Sequence, residues 1–398
     1  MKTKQTFLCG VFAVILALAF TACDNGSTGH THEYSTTWSS NATQHWRECT
    51  DHDGAKTDVA NHTGNLCSVC GYDSLQNWTA VADSPFGTGL LQGINAIAYG
   101  NGKFVAVGSL GEMAYSANGA SWTAVADSKF GYSYIYAIAY GSAGNAGNRF
   151  VAGGMSGTMA YSDDGEDWTA VADSKFGSSY INAIAYGSDG NAVNKWVAVG
   201  GGGKIAYSDD GETWSAVADS TFPATVTIDD DDNDYTFPYN INAIAYGNNR
   251  FVAGGGDGKM AYSADGVNWT AVTDSTLTYS INSIAYGNNK FVVGGSFGEM
   301  ATSSDGVTWT AVADRILDDF PSINGIAYGG GRFVAVRDDS KIAYSANGAS
   351  WTAVADSKFP ATHTIGDYDF PYPINAIAYG NGRFVAVGDD GKMAYANW

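Results

Sequence analysis

The sequence is short of charge, and shorter still of positive charge. Lysine and arginine together number 20 against 40 aspartates and glutamates, a formal net charge of −20 over 398 residues. A surface this negative repels nucleic acid and anionic lipid, which argues against both as partners held by charge. Histidine is scarce, and five of the six lie at His30, His32, His45, His52 and His62. Only His363 remains downstream, so no Ser-His-Asp set is recognisable there. Long apolar runs are also missing. The longest, "FLCGVFAVILALAF" at 7–20, follows Lys2 and Lys4 and is too short for a comfortable membrane span. What is abundant is glycine, at 51 residues, and aromatic side chains, at 13%. That balance suits an all-β chain dense in turns.

The apolar run ends in "FTAC". Small residues before a cysteine resemble a bacterial lipobox, with Phe20 standing where leucine is usual. The resemblance implies a signal peptide over 1–22 and a mature chain beginning at Cys23, lipidated on its thiol and amine. Such a protein sits in the bacterial cell envelope, at the outer membrane or the periplasmic face, held by acyl chains. An ordinary signal peptide cleaved nearby, or an uncleaved anchor, is the alternative. Residues 23–29 read as a tether.

Residues 30–73 form a small Cys/His module. Cys49-x2-His52 and Cys67-x2-Cys70 are two short chelating turns, and each can present two ligands to one side of a Zn²⁺ tetrahedron. With Cys23 lipidated, three thiols remain, which cannot all pair as disulfides within one chain; a fourth ligand from His52, or from His62, resolves the odd count. The segment resembles a zinc ribbon, with histidine where the second cysteine is usual. The resemblance implies a structural zinc held by Cys49, His52, Cys67 and Cys70. A Cys67–Cys70 disulfide with Cys49 free is the rival reading in an oxidising compartment.

From Trp78 onward four words recur seven times each. "INAIAYG"-like words start at Ile94, Ile135, Ile181, Ile241, Ile281, Ile323 and Ile374. "FVAVG", "MAYS" and "WTAVADS" follow the same rhythm. Each word is apolar, aromatic or β-branched and is bounded by Gly, Asn or Asp, the signature of short strands and tight turns. Four strands per unit predict propeller blades. The first word met, at Trp78, is of the fourth-strand type, and the last unit ends at "MAYANW" without one. A seven-bladed β-propeller over 78–398 therefore closes by lending its N-terminal strand to the last blade, which removes two open edges.

The turns "SDDGEDW" (162–168), "SDDGETW" (208–214), "SADGVNW" (263–269) and "SSDGVTW" (303–309) resemble Asp-box (BNR) repeats, with Asn118 and Asn347 replacing the aspartate in blades 1 and 6. The family includes sialidases, other glycosidases and photosystem assembly factors. An amide replaces a carboxylate as a turn-former but not as an acid or base, so these turns read as structural. A sialidase-like site would need an arginine cluster and a Tyr–Glu pair. The seven arginines are instead mostly periodic: Arg149, Arg250, Arg332 and Arg383 precede a second strand, where Lys103, Lys195 and Lys290 stand in the other blades. They are expected to pair with the acidic turns at the surface. No catalytic residue is assigned.

Recognition is expected on the opposite face, where the fourth strand of one blade leads to the next. Two long connections, "TFPATVTIDDDDNDYTFPYN" (221–240) and "KFPATHTIGDYDFPYP" (358–373), offer Tyr235, Phe237, Tyr239, Tyr368, Phe370 and Tyr372. Phe86, Phe130, Tyr132, Tyr134, Phe176, Tyr180, Tyr279 and Phe320 come from shorter ones. Asp229, Asp230, Asp231, Asp232 and Asp234 are oxygen ligands for a candidate Ca²⁺ site, without the spacing of a known calcium loop. Asn95, Asn182, Asn242, Asn282, Asn324 and Asn375 each follow the first isoleucine of an inner strand, and Tyr136 breaks that ring. These amides either meet a ligand at the channel mouth or tie inner strands together. The reading is a monomeric, lipid-anchored, non-catalytic binding protein for a glycan or protein. A glycoside hydrolase and an envelope assembly factor are the alternatives.

Overall fold

The computed structural model describes residues 39–40, 44–48, 56–61, 74–87, 92–142, 147–188, 194–218, 222, 226–230, 233–237, 239–313, 321–360, 362–365 and 368–398. The expected signal peptide, Cys23, the expected tether, and the expected zinc ligands Cys49, His52, Cys67 and Cys70 lie outside the described residues. The chain divides into two units, Met1–Asn77 and Trp78–Trp398. In the first, Ser39–Ser40, Gln44–Glu48 and Lys56–Asn61 form a three-stranded antiparallel sheet.

The second unit is a seven-bladed propeller of four-stranded antiparallel blades. Blade 1 runs Ile94–Gly100, Lys103–Gly108, Met113–Ser116 and Thr123–Ala124. Blades 2 to 6 repeat that order, opening at Ile135, Ile181, Ile241, Ile281 and Ile323. Blade 7 takes Ile374–Gly380, Arg383–Gly388 and Met393–Asn397 from the end of the chain and Thr79–Ala80 from its beginning, with Ala394 opposite Ala80 and Tyr395 opposite Thr79. Head-to-tail closure is thus a hydrogen-bonded ladder.

Burial explains the words. The second strand is buried along Phe104–Gly108 and at each equivalent, because a neighbouring blade covers both its faces. Blades mesh through a tyrosine–glycine cog. The glycine ending each inner strand faces the tyrosine of the next blade: Gly100 on Tyr140, Gly247 on Tyr286, and finally Gly380 on Tyr99. A Cβ at any of these glycines would fall inside the ring. Each tyrosine in turn leans on the second-strand aromatic of its own blade, at 4.7 Å in blade 1 and 5.2 Å against Trp196 in blade 3.

The fourth word is only half a strand. In "WTAVADS" two residues join the ladder and the valine amide adds one bond, as from Val125 to the Met113 carbonyl at 2.9 Å. The rest is a turn. Asp127 accepts from the Lys129 amide, and the Ser128 hydroxyl donates to the Gly111 carbonyl at 2.6 Å. Ser174, Ser275 and Ser357 repeat that tie.

The two long connections are hairpins rather than loops. Val226–Asp230 pairs with Asn233–Phe237, and Thr362–Ile365 with Tyr368–Pro371. Among the described residues no helix is long and apolar enough to cross a membrane.

Candidate functional site

The acidic turns come first, since they contain most of the repeated carboxylates. In blade 4 the Asp265 carboxylate accepts from the amides of Val267 and Asn268 at 2.9 and 2.7 Å, while Ser263 Oγ accepts from the Gly266 amide and donates to Asp265. The Trp269 indole donates to the Gly266 carbonyl. Burial works against ionisation, yet the amides of Asn268 and Val267, the Asn268 side chain and the Ser263 hydroxyl outweigh it, and the Asp265 carboxyl falls to about 2. Asp305 falls to about 2 with burial likewise outweighed, here by the amides of Thr308 and Val307 and the hydroxyl of Ser303. Asn118 makes the same amide contacts through its Oδ1. A carboxylate held in this way by the amides of its own turn is a turn-former.

The periodic cations bind this turn, and they do so across blades. Lys103 donates to the Asp164 carbonyl, Arg149 to Asp210, Lys290 to Asn347 and Arg383 to Asn118, each on the following blade. The expectation of loose surface pairs fails at Arg149. Its side chain is 5% exposed and meets Asp163 at 3.1 Å and Glu212 at 3.7 Å. Where blade 7 has no such turn, Trp398 docks on blade 6 instead, donating to the Gly330 carbonyl and lying under Arg332.

The opposite face is built from the connections between blades and from the tight turns joining second to third strands. In blades 1 to 5 and 7 two consecutive residues of that turn adopt left-handed backbone; the second is a glycine, and the first is Leu110 (φ 55°), Ser156 (54°), Gly202 (72°), Asp257 (49°), Phe297 (56°) or Asp390 (55°). Each non-glycine residue there costs on the order of 1–2 kcal/mol, and the position varies more than the words around it. Among the described residues, the exposed large apolar side chains of the propeller are Tyr132, Met155, Tyr180, Tyr279 and Phe297, and all five lie on this face. Phe297 stacks on Tyr279 at 4.5 Å. Phe86, Phe130 and Phe176, expected among the loop aromatics, are instead buried between blades. Phe320 lies outside the described residues.

At the channel mouth the asparagine ring is a belt. Each side-chain amide donates to the first isoleucine carbonyl of the next blade: Asn95 to Ile135 (2.9 Å), Asn182 to Ile241 (3.1 Å), Asn242 to Ile281 (3.2 Å), Asn282 to Ile323 (3.3 Å), Asn324 to Ile374 (3.1 Å) and Asn375 to Ile94 (3.1 Å). The belt asparagines, Tyr136, and the small residues and isoleucines that follow them line a cavity of about 190 Å³, with no carboxylate, arginine or histidine among the described lining residues. Blade 2 interrupts the belt. Tyr136 stands there, its ring 6.2 Å from Tyr134 and 6.0 Å edge-on from Tyr180. Burial, then the neighbouring Tyr180 and Tyr134, raise its hydroxyl above the usual tyrosine value.

Of the other expected ligand residues, Tyr239 donates to Asp257 at 2.9 Å, and Tyr372 lies 6.0 Å from the Lys392 ammonium. Tyr235, Phe237, Tyr368 and Phe370 occupy hairpin strands, their side chains outside the described set. Asp229 is the register partner of Asp234 and Asp230 of Asn233, while Asp231 and Asp232 lie outside the described residues. No group of three or more metal-ligating side chains occurs among the described residues. Sequence reasoning missed Met155 and Phe297. The signal was present: the middle residue of each Gly-rich turn before the third strand changes from blade to blade.

No curated protein matches the chain. Solved structures share its fold at low identity. YCF48 bound to D1 peptide is 14% identical, with a TM-score of 0.56 over 81% of this chain and 95% of that one. YCF48 from Cyanidioschyzon merolae is 14% identical, with a TM-score of 0.54 over 80% and 98%. The GH74 xyloglucanase from Xanthomonas campestris is 16% identical, with a TM-score of 0.57 over 81% of this chain but 53% of that one, so this chain corresponds to about half of the enzyme. The model of the DUF6242 beta propeller domain matches residues 55–283, more than half of the sequence, and the chain belongs to that family.

Proposed function

We propose that this propeller is a non-catalytic binding protein that takes a peptide or protein ligand on the face opposite its acidic turns. One observation carries the reading: every exposed large apolar side chain described in the propeller lies on that face, at positions where the repeats diverge. A rigid ring presenting variable aromatic residues is a recognition surface. A propeller of similar fold, YCF48, is known bound to a peptide, which supports the class of ligand. The test is paired peptide and glycan arrays probed with the chain beginning after Cys23. Peptide binding that falls at least tenfold in Tyr180→Ser or Phe297→Ser supports the reading. Glycan binding alone, or binding indifferent to both changes, refutes it.

The N-terminal segment adds a location. Acyl chains on Cys23 would hold the propeller at the bacterial envelope, with a zinc-stapled module (Cys49, His52, Cys67 and Cys70) between anchor and ring. Mass spectrometry of the mature N-terminus and zinc analysis of the purified protein test the two parts separately. An unmodified start elsewhere ends the first, and zinc-free protein the second.

A further inference from the structure

We propose that the channel mouth seats an uncharged side-chain amide, from an asparagine or glutamine of the peptide ligand, between the belt oxygens and the Tyr136 hydroxyl. This rests on the loop-face reading above and names the ligand group that enters the mouth.

The argument begins with the half of each asparagine that the belt does not use. A backbone carbonyl only accepts, so the six ties to isoleucine carbonyls turn every belt nitrogen toward the next blade. The Oδ1 of the same amide is left over. None of these six oxygens accepts a hydrogen bond from a described residue, and none is sealed from solvent. All six asparagines line the cavity. Tyr136 supplies the complementary group. Its hydroxyl bonds to no described residue, and burial, then the neighbouring Tyr180 and Tyr134, keep the proton on it. At one joint of seven, an amide tie is exchanged for a phenol. That asymmetry gives a ring of otherwise equivalent acceptors one place where a ligand carbonyl can be received.

The lining selects the occupant. A carboxylate has no proton to give and would face acceptor lone pairs. An ammonium or guanidinium group would leave water for a seat with no carboxylate on its described lining. Asp389 accepts from the Asn375 amide at 2.7 Å and is not among the lining residues. An apolar side chain would cut the belt oxygens off from water and leave them unsatisfied. A side-chain amide meets both halves of the site: its two N–H groups donate to belt oxygens, and its carbonyl accepts from the Tyr136 hydroxyl. The cavity of about 190 Å³ corresponds to roughly six waters at about 30 Å³ each. That is room for one side chain and not for a folded segment.

The test is a random octapeptide library displayed on phage and selected on the full chain, followed by anisotropy titration of the enriched peptides. Selected sequences should share an asparagine or glutamine. Changing it to the corresponding acid, or a glutamine to methionine, which keeps the length and removes the donors, should weaken binding about tenfold. Tyr136→Phe is the informative variant, because it removes only the hydroxyl. It should leave Tm unchanged and weaken binding about threefold or more. It should cost nothing further with the methionine peptide, because the carbonyl that met the hydroxyl is already gone. Enriched peptides with no shared asparagine or glutamine, or full affinity in Tyr136→Phe, overturn this seat. Where such peptides still lose binding in Tyr180→Ser or Phe297→Ser, the seat falls and the loop-face function stands. Saturable calorimetric heat from glucose or N-acetylglucosamine that disappears in Tyr136→Phe makes the mouth a sugar seat and overturns the amide. A library that yields no peptide overturns both readings.

Discussion

At the scale of single residues, the repeated carboxylates are spent on backbone amides, and acidity is where this shows. Asp265 and Asp305 have folded-state values of about 2, below the ordinary aspartate value near 3.9. Their contribution to stability is therefore complete above about pH 4 and lost as pH falls through 2. Both are partly solvated, so each is worth on the order of 1 kcal/mol. Asp265→Asn with Asp305→Asn should unfold at nearly the wild-type urea midpoint at pH 7 and lose less stability than wild type between pH 4 and 2. A wild-type-like acid slope in the double variant would contradict the assignment. The natural asparagines at 118 and 347 already make this substitution, and for that reason the structural role of the turn was legible in the sequence. The glycine cog was not. Nothing in "IAYG" says that the glycine faces a tyrosine one blade away. Gly287→Ala would push a methyl into the Tyr328 ring and should cost roughly 1–3 kcal/mol by overpacking, read as a lower midpoint in denaturant.

Among the elements, the four strand words were legible because each is a short apolar run closed by turn residues. Their lengths were not. The fourth strand stops after two paired residues because the serine of "ADS" bonds back to the turn within its own blade, which a linear reading cannot see. Ser174→Ala and Ser275→Ala should each cost about 1 kcal/mol, and their effects should add, since the two hydroxyls share no partner; thermal melts of the single and double variants measure this. The hairpins at 226–237 and 362–371 were read as loops for another reason. In the first a run of aspartate hides the alternation that marks a strand, and in both the ladder is evident only when the register is known. The exposed Met155 and Phe297 escaped notice because they sit in turns that vary, and variation within a repeat looks like noise until the turns are seen to share one face.

At the scale of the molecule, seven blades and head-to-tail closure followed from counting words, and closure is also the point of greatest sensitivity. Thr79–Ala80 covers the edge of Met393–Asn397. Deleting residues 78–84 should expose that edge and produce concentration-dependent association by light scattering, whereas loss of a surface loop of equal length should not. A deletion variant that remains monomeric would show that the strand is dispensable. The contact between Trp398 and blade 6 is the second half of the clasp. The missing turn was legible in "MAYANW", but not the docking of Trp398 on blade 6 in its place, because no other blade offers a tryptophan at that position.

The tie between Asn375 and Ile94 joins residues 281 apart in the chain. The opening strand is thus made first and placed last. On a ribosome moving at about 5–20 residues per second, it waits roughly 15–60 s for its partner to emerge. During that interval the nascent chain holds a growing stack of blades with an unpaired strand at its head. Any chaperone that meets the chain in that interval will meet the segment around Trp78.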